Sequence, residues 1–89
     1  MAGILFKVNG SYKMIDPEHE PNFTILEVER IVGGKFICAL KGPNFVAYRK
    51  NENASDTTPV NVLATLLTGS YLCGDVFIEC YNKKLKFNE

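Results

Sequence analysis

The residues of this chain with chemistry to offer are few and dispersed, and their spacing decides what they can do. The single histidine, His19, sits in Asp16-Pro-Glu-His-Glu-Pro, where Asp16, Glu18, His19 and Glu20 are all ligand types for a divalent metal. Side chains adjacent in an irregular loop rarely converge on one ion, and no second histidine or paired cysteine completes a zinc set. The loop therefore reads as a solvated connector, with no metal site. Cys38, Cys73 and Cys80 are odd in number, lie inside apolar runs and include no C-x-x-C pair. That pattern describes reduced thiols acting as small buried apolar residues, and not a disulfide framework. A Cys–His pair would have to bring His19 to one of these thiols, and nothing in the sequence places it there. The chain has no G-x-S-x-G elbow, no phosphate loop and no H-E-x-x-H helix.

The remaining polar candidates are of a binding kind. Asp75 follows Gly74 at the start of a strand, where a carboxylate either faces a site or accepts backbone donors of the preceding turn. Gly69–Gly74 (GSYLCG) holds apolar residues between its glycines, which suits a helix stop and a strand entry better than a phosphate cradle. Tyr48-Arg49-Lys50 would join Lys83, Lys84 and Lys86 in a basic, aromatic strip for single-stranded nucleic acid only if the two ends lay together. Ten basic and ten acidic residues give a net charge of zero, which argues against a nucleic-acid partner. Tyr48, Arg49, Lys50, Tyr71, Asp75 and Tyr81 are thus the candidate contact residues. The tyrosines enter because each adds large, partly polar area at low entropic cost.

The elements that must position these residues are legible from periodicity and turn chemistry. At the centre of the chain, Thr24–Leu40 reads as a capped helix, a two-glycine stop and a strand. Thr24 and Glu27 form a T-x-x-E capping box, and Ile25, Val28, Ile31 and Val32 recur at helical spacing, leaving Glu27, Glu29 and Arg30 toward water. Gly33 is a left-handed stop. Before this unit, Gly3–Val8 and Ser11–Ile15 flank Asn9-Gly10, the dipeptide of a type I′ hairpin, and the proline-rich Asp16–Asn22 loop follows.

Lys35–Lys41 is apolar on both sides and predicts an interior strand; Gly42-Pro43-Asn44 turns it into a second strand, Phe45–Lys50. Asn51–Thr58 is the longest polar loop. Thr58-Pro59 predicts a cap and first turn for a second helix, whose inward stripe is Val60, Leu63, Leu66 and Leu67 and whose stop is Gly69. Asp75–Tyr81 is the last strand, and Lys83–Phe87 is either a short edge strand or a basic tail. The expectation is a single domain over residues 1–89, α+β in class, with two helices packed on an antiparallel sheet in the order β-β-α-β-β-α-β.

Several of these segments, namely Ile31–Gly34 (Ile-Val-Gly-Gly), the hairpin after it and the N-x-x-A-T-x-L-x-G-x-x-x-x-G-D-V stretch of Asn61–Val76, carry a resemblance. The chain resembles, from about Ile4 to Ile78, a small uncharacterised domain family of bacteriophages, plasmids and other mobile elements. That family has no established activity, so the resemblance implies a setting and transfers no functional residue.

Composition bounds the function further. With 46% apolar and 22% charged residues in 89, the chain has ordinary globular composition. A chain this short buries only about 60–65% of its unfolded surface, which leaves little room for a deep catalytic pocket. No apolar run approaches the ~20 residues that span a bilayer. Asn9, Asn22 and Asn53 head glycosylation sequons, and the expectation is that they are inert in a chain read as lacking a signal peptide. The expectation is a cytoplasmic, non-catalytic interaction protein without a cofactor, acting by surface recognition of a protein partner. It also includes homodimerisation, with Asp75–Tyr81 as an open edge unless Lys83–Phe87 covers it. The alternative is a small-molecule or nucleotide-binding module, with the ligand at a subunit interface or beside the 51–58 loop.

Overall fold

A computed structural model of the chain describes residues 2–18, 22–51 and 58–80. Within them the order is β1 (Ala2–Phe6), β2 (Tyr12–Ile15), α1 (Ile25–Val32), β3 (Phe36–Lys41), β4 (Phe45–Lys50), α2 (Val62–Thr68) and β5 (Val76–Cys80). The α+β class and the sequence of elements are those read from the residues. No helix among the described residues is long and apolar enough to cross a membrane. Lys83–Phe87 lies outside the described residues, as do Tyr81 and His19.

All strand pairs are antiparallel, in the spatial order β2-β1-β5-β4-β3. Two strand expectations are reversed by this arrangement. β5, expected as an open edge, is the central strand, bonded to β1 on one side and β4 on the other. β3, expected in the interior, is an edge among the described residues. The physical reason lies in burial: Val76, Phe77, Ile78 and Glu79 are all buried, so β5 loses both faces to the core and needs a partner on each side. β3 also bulges between Cys38 and Leu40, turning both Ala39 and Leu40 toward the core.

The helices lie on opposite faces of the sheet. On one face, Phe23 stands edge-on to Phe77 with centroids 5.0 Å apart, and α1 packs over β3, β4 and β5 through the buried Val28. On the other, Ala64 of α2 joins Phe6, Ala47, Leu72, Val76 and Ile78 in the main core. Gly3 is required by the first face, because a Cβ there would collide with the Phe77 ring.

Local chemistry explains the helix ends. The capping box at Thr24 forms as expected, and Gly33 ends α1 at φ 93°. Glu27 does not face water, however. Its carboxylate also accepts the Glu18 N–H at 2.6 Å, holding that residue to the start of α1, and Glu27 is buried. Ile25 is exposed instead. The N-cap of α2 is Asn61, not Thr58: its Oδ1 accepts from Ala64 N–H at 3.1 Å. Residues on either side of α2 bond to each other, with Asn61 N–H donating to Leu72 O and Gly74 N–H to Pro59 O, so Pro59 sits in a short ladder rather than a first turn.

The first hairpin also departs from its dipeptide. Gly10 has φ 91° but Asn9 has negative φ, which excludes a type I′ turn. Gly10 N–H donates to Lys7 O and Lys7 N–H to Ser11 O, a type I turn followed by a glycine bulge. The Asn9 side chain stabilises it by accepting from both the N–H and the hydroxyl of Ser11.

Candidate functional site

Arg49 alternates with Tyr48 and Lys50 along β4, so the three cannot share a face. Arg49 pairs across the sheet with Ile37 and Val76 on the α2 side. Tyr48 is on the α1 side, half-buried, edge-on to Phe36 at 4.9 Å and hydrogen-bonded through its hydroxyl to Glu79. Lys50 is exposed and its side chain runs past Gly34, 3.3 Å from where a Cβ would stand. The β4 part of the conditional basic and aromatic strip is therefore split by the pleat, and Lys83, Lys84 and Lys86 lie outside the described residues.

Four of the six candidates nonetheless meet at one place. A cleft of about 380 Å³ opens between the β3–β4 edge and the segment after α2. Ile37, Ala39 and Leu72 give it an apolar floor; Arg49, Lys50, Thr58, Tyr71, Cys73 and Asp75 also line it. Thr58 marks the end of the polar loop beside which the alternative reading places a ligand. Arg49 is half-buried, and among the described residues no carboxylate pairs with it; its Nη1 makes one long contact, 3.5 Å, to the Lys50 carbonyl.

Asp75 is already engaged. Its Oδ1 accepts from Val8 N–H at 3.0 Å and its Oδ2 lies 4.0 Å from the Lys7 ammonium. The carboxylate thus holds the distant β1–β2 turn, rather than the preceding turn as expected. Tyr71 is 77% exposed and hydrogen-bonds with Cys73, a contact that raises its phenol above the ordinary value. The thiols are unpaired, but their burial differs from expectation. Cys38 is exposed because β3 is an edge; Cys73 and Cys80 are half-buried.

Two polar residues that sequence reasoning passed over organise the interior. Asn61 is fully buried and its Nδ2 donates to Phe6 O and to Gly74 O, both at 2.8 Å. Glu79 is buried on the α1 side. Burial pushes its carboxyl up, hydrogen bonds from Phe23 N–H and the Tyr48 hydroxyl pull it back, and the neighbouring Glu27 charge pushes it up further. The available signals were an asparagine three residues before a buried alanine, and an acid within an otherwise apolar strand. Among the described residues no three His, Cys, Asp or Glu side chains gather as a metal site.

Asn61 also fixes the rotation of α2. With Asn61 and Ala64 drawn into the core, Val62 and Leu66 fall about 200° round the helix from Ala64. Leu66 and Leu67, expected in the inward stripe, are 75% and 62% exposed, and only Leu63 of that helical stripe packs on the core. Compared with protein-family models, curated proteins and solved structures, the chain matches none.

Proposed function

We propose that the chain is a small non-catalytic interaction protein, cytoplasmic and of phage or mobile-element origin, that works by surface recognition. One observation carries the reading. α2 (VLATLLT) has no charged residue; its outward side presents Val62 and Leu66 to solvent, and Leu67 at its flank is exposed as well. A helix apolar on both its inner and outer sides is ordinarily covered on both. The occupant we assign to this surface is a second copy of the chain. An uncharged face set against itself strands no charge, and a net charge of zero adds no long-range repulsion between copies. The dimer contact thus moves from β5, whose edges are both taken, to α2. The phage or mobile-element setting rests on the resemblance of Ile31–Gly34 and Asn61–Val76, and the cytoplasmic location on three thiols with no disulfide pattern.

Light scattering over a micromolar concentration series tests it. The expected result is a dimeric mass for the natural chain and a monomeric mass for Leu66→Glu, with the circular dichroism spectrum unchanged. Leu26→Glu, at a 70% exposed position on the opposite side of the sheet, should remain dimeric. A strictly monomeric natural chain, or a dimer indifferent to Leu66→Glu, overturns the proposal.

A further inference from the structure

We infer that the cleft beneath Arg49 is a binding site for a small organic oxyanion with a planar or apolar body, a carboxylate or a phosphate ester. This is separate from the α2 surface and does not depend on it. Three features argue together. The first is space: about 380 Å³ lies within the range of small-ligand sites and far exceeds what a single ion needs. The second is charge. Guanidinium is always ionised, and a half-buried one without a carboxylate partner among the described residues leaves its donors to an incoming anion, for which its planar fork is shaped. Asp75 does not cancel that charge, because its carboxylate is held by Val8 N–H and lies beside the Lys7 ammonium. The third is the surroundings. Ile37, Ala39 and Leu72 offer an apolar floor and Tyr71 an aromatic wall, so the body of the ligand is planar or apolar while its anionic end meets Arg49.

The elements that form the cleft suit it to binding without rearrangement. Arg49 is on β4, next to the central strand, and the opposite wall is pinned on both sides of Leu72. Thr65 Oγ1 accepts from Leu72 N–H at 3.0 Å and donates to Leu72 O at 3.3 Å, while Asn61 N–H donates to the same carbonyl at 2.7 Å. A wall held this way loses little conformational freedom when a ligand arrives.

The test is an amide-resolved NMR titration of the full chain with three probes: phenyl phosphate, benzoate and neutral benzyl alcohol. The expected result is saturable shifts confined to Ile37–Ala39, Arg49 and Leu72–Asp75 with at least one anion, and none with the alcohol. The two anions distinguish a phosphate-ester site from a carboxylate site. Arg49→Gln should weaken binding by about tenfold or more, as loss of a bidentate charged contact does, and Arg49→Lys should fall between. Both variants are checked for an unchanged spectrum away from the cleft. Absence of saturable shifts with both anions at millimolar concentration overturns the inference, and so does equal binding by Arg49→Gln. Leu66→Glu should bind the anions as the natural chain does, which separates this result from the dimer test.

Discussion

The Asn61 side chain donates from Nδ2 to the Phe6 carbonyl at 2.8 Å, joining residues 55 positions apart in a fully buried contact. The same side chain caps α2 and holds the Gly74 carbonyl, so one amide ties the first strand, the second helix and the entry to the last strand. Asn61→Ala removes the cap and leaves the buried Phe6 carbonyl and the part-buried Gly74 carbonyl short of a donor. The expected cost is about 2–4 kcal/mol, read as a lower urea midpoint. Asn61→Asp should also destabilise, since a carboxylate cannot donate to either carbonyl. A loss for the alanine variant under about 0.5 kcal/mol, the size of an ordinary surface change, would remove this residue from its central role.

Glu79 makes stability depend on pH in a stated direction. Its folded carboxyl is raised above the ordinary 4.5, chiefly by burial. A raised group favours the folded state fully below its unfolded value, and that contribution is lost as pH rises through the folded value. Glu79→Gln keeps an acceptor for Phe23 N–H and the Tyr48 hydroxyl without the charge. Relative to the natural chain it should therefore gain stability as pH rises from about 4 toward neutrality. Parallel urea-stability curves for the two proteins across that window would contradict the assignment.

Gly3 and Phe77 predict a size limit at the α1 face. Gly3→Ala forces its Cβ into the Phe77 ring, which is itself packed against Phe23. Overpacking of this kind should cost about 1–3 kcal/mol in thermal or chemical denaturation. Pairing Gly3→Ala with Phe77→Leu should give a combined loss smaller than the sum of the two single losses; strict additivity would mean that the ring and the glycine do not meet.

Thiol labelling should separate the cysteines by strand position. Cys38, exposed on an edge strand, is expected to react first with a disulfide reagent. Cys80 should be slowest, because burial, and then the Glu79 charge, raise its thiol and deplete the thiolate that reacts. Peptide mapping of a timed reaction reads the order, and modification of Cys80 before Cys38 would reverse it.

What the sequence determined by itself is the set of features settled within a few residues of one another. The Thr24–Glu27 capping box and the Gly33 and Gly69 stops follow from short-range chemistry and form as read, and so does Phe45–Lys50, whereas β1, read as Gly3–Val8, forms as Ala2–Phe6 because Lys7 and Val8 are taken into the turn. Arg49, Lys50, Tyr71 and Asp75 were likewise identifiable by type as candidate contact residues. Their gathering was not, because it joins β4 to a segment more than twenty positions away. Lys35–Lys41 and Asp75–Tyr81 are both apolar on two sides, so periodicity could not say which takes the centre of the sheet. Only tertiary structure decides that, through the pairing of β5 with the first hairpin on one side and the second on the other. The same holds for α2. Its ring of leucines fits several rotations, and the one adopted is set by Asn61 reaching the Phe6 carbonyl, a contact between segments with no local sign of each other.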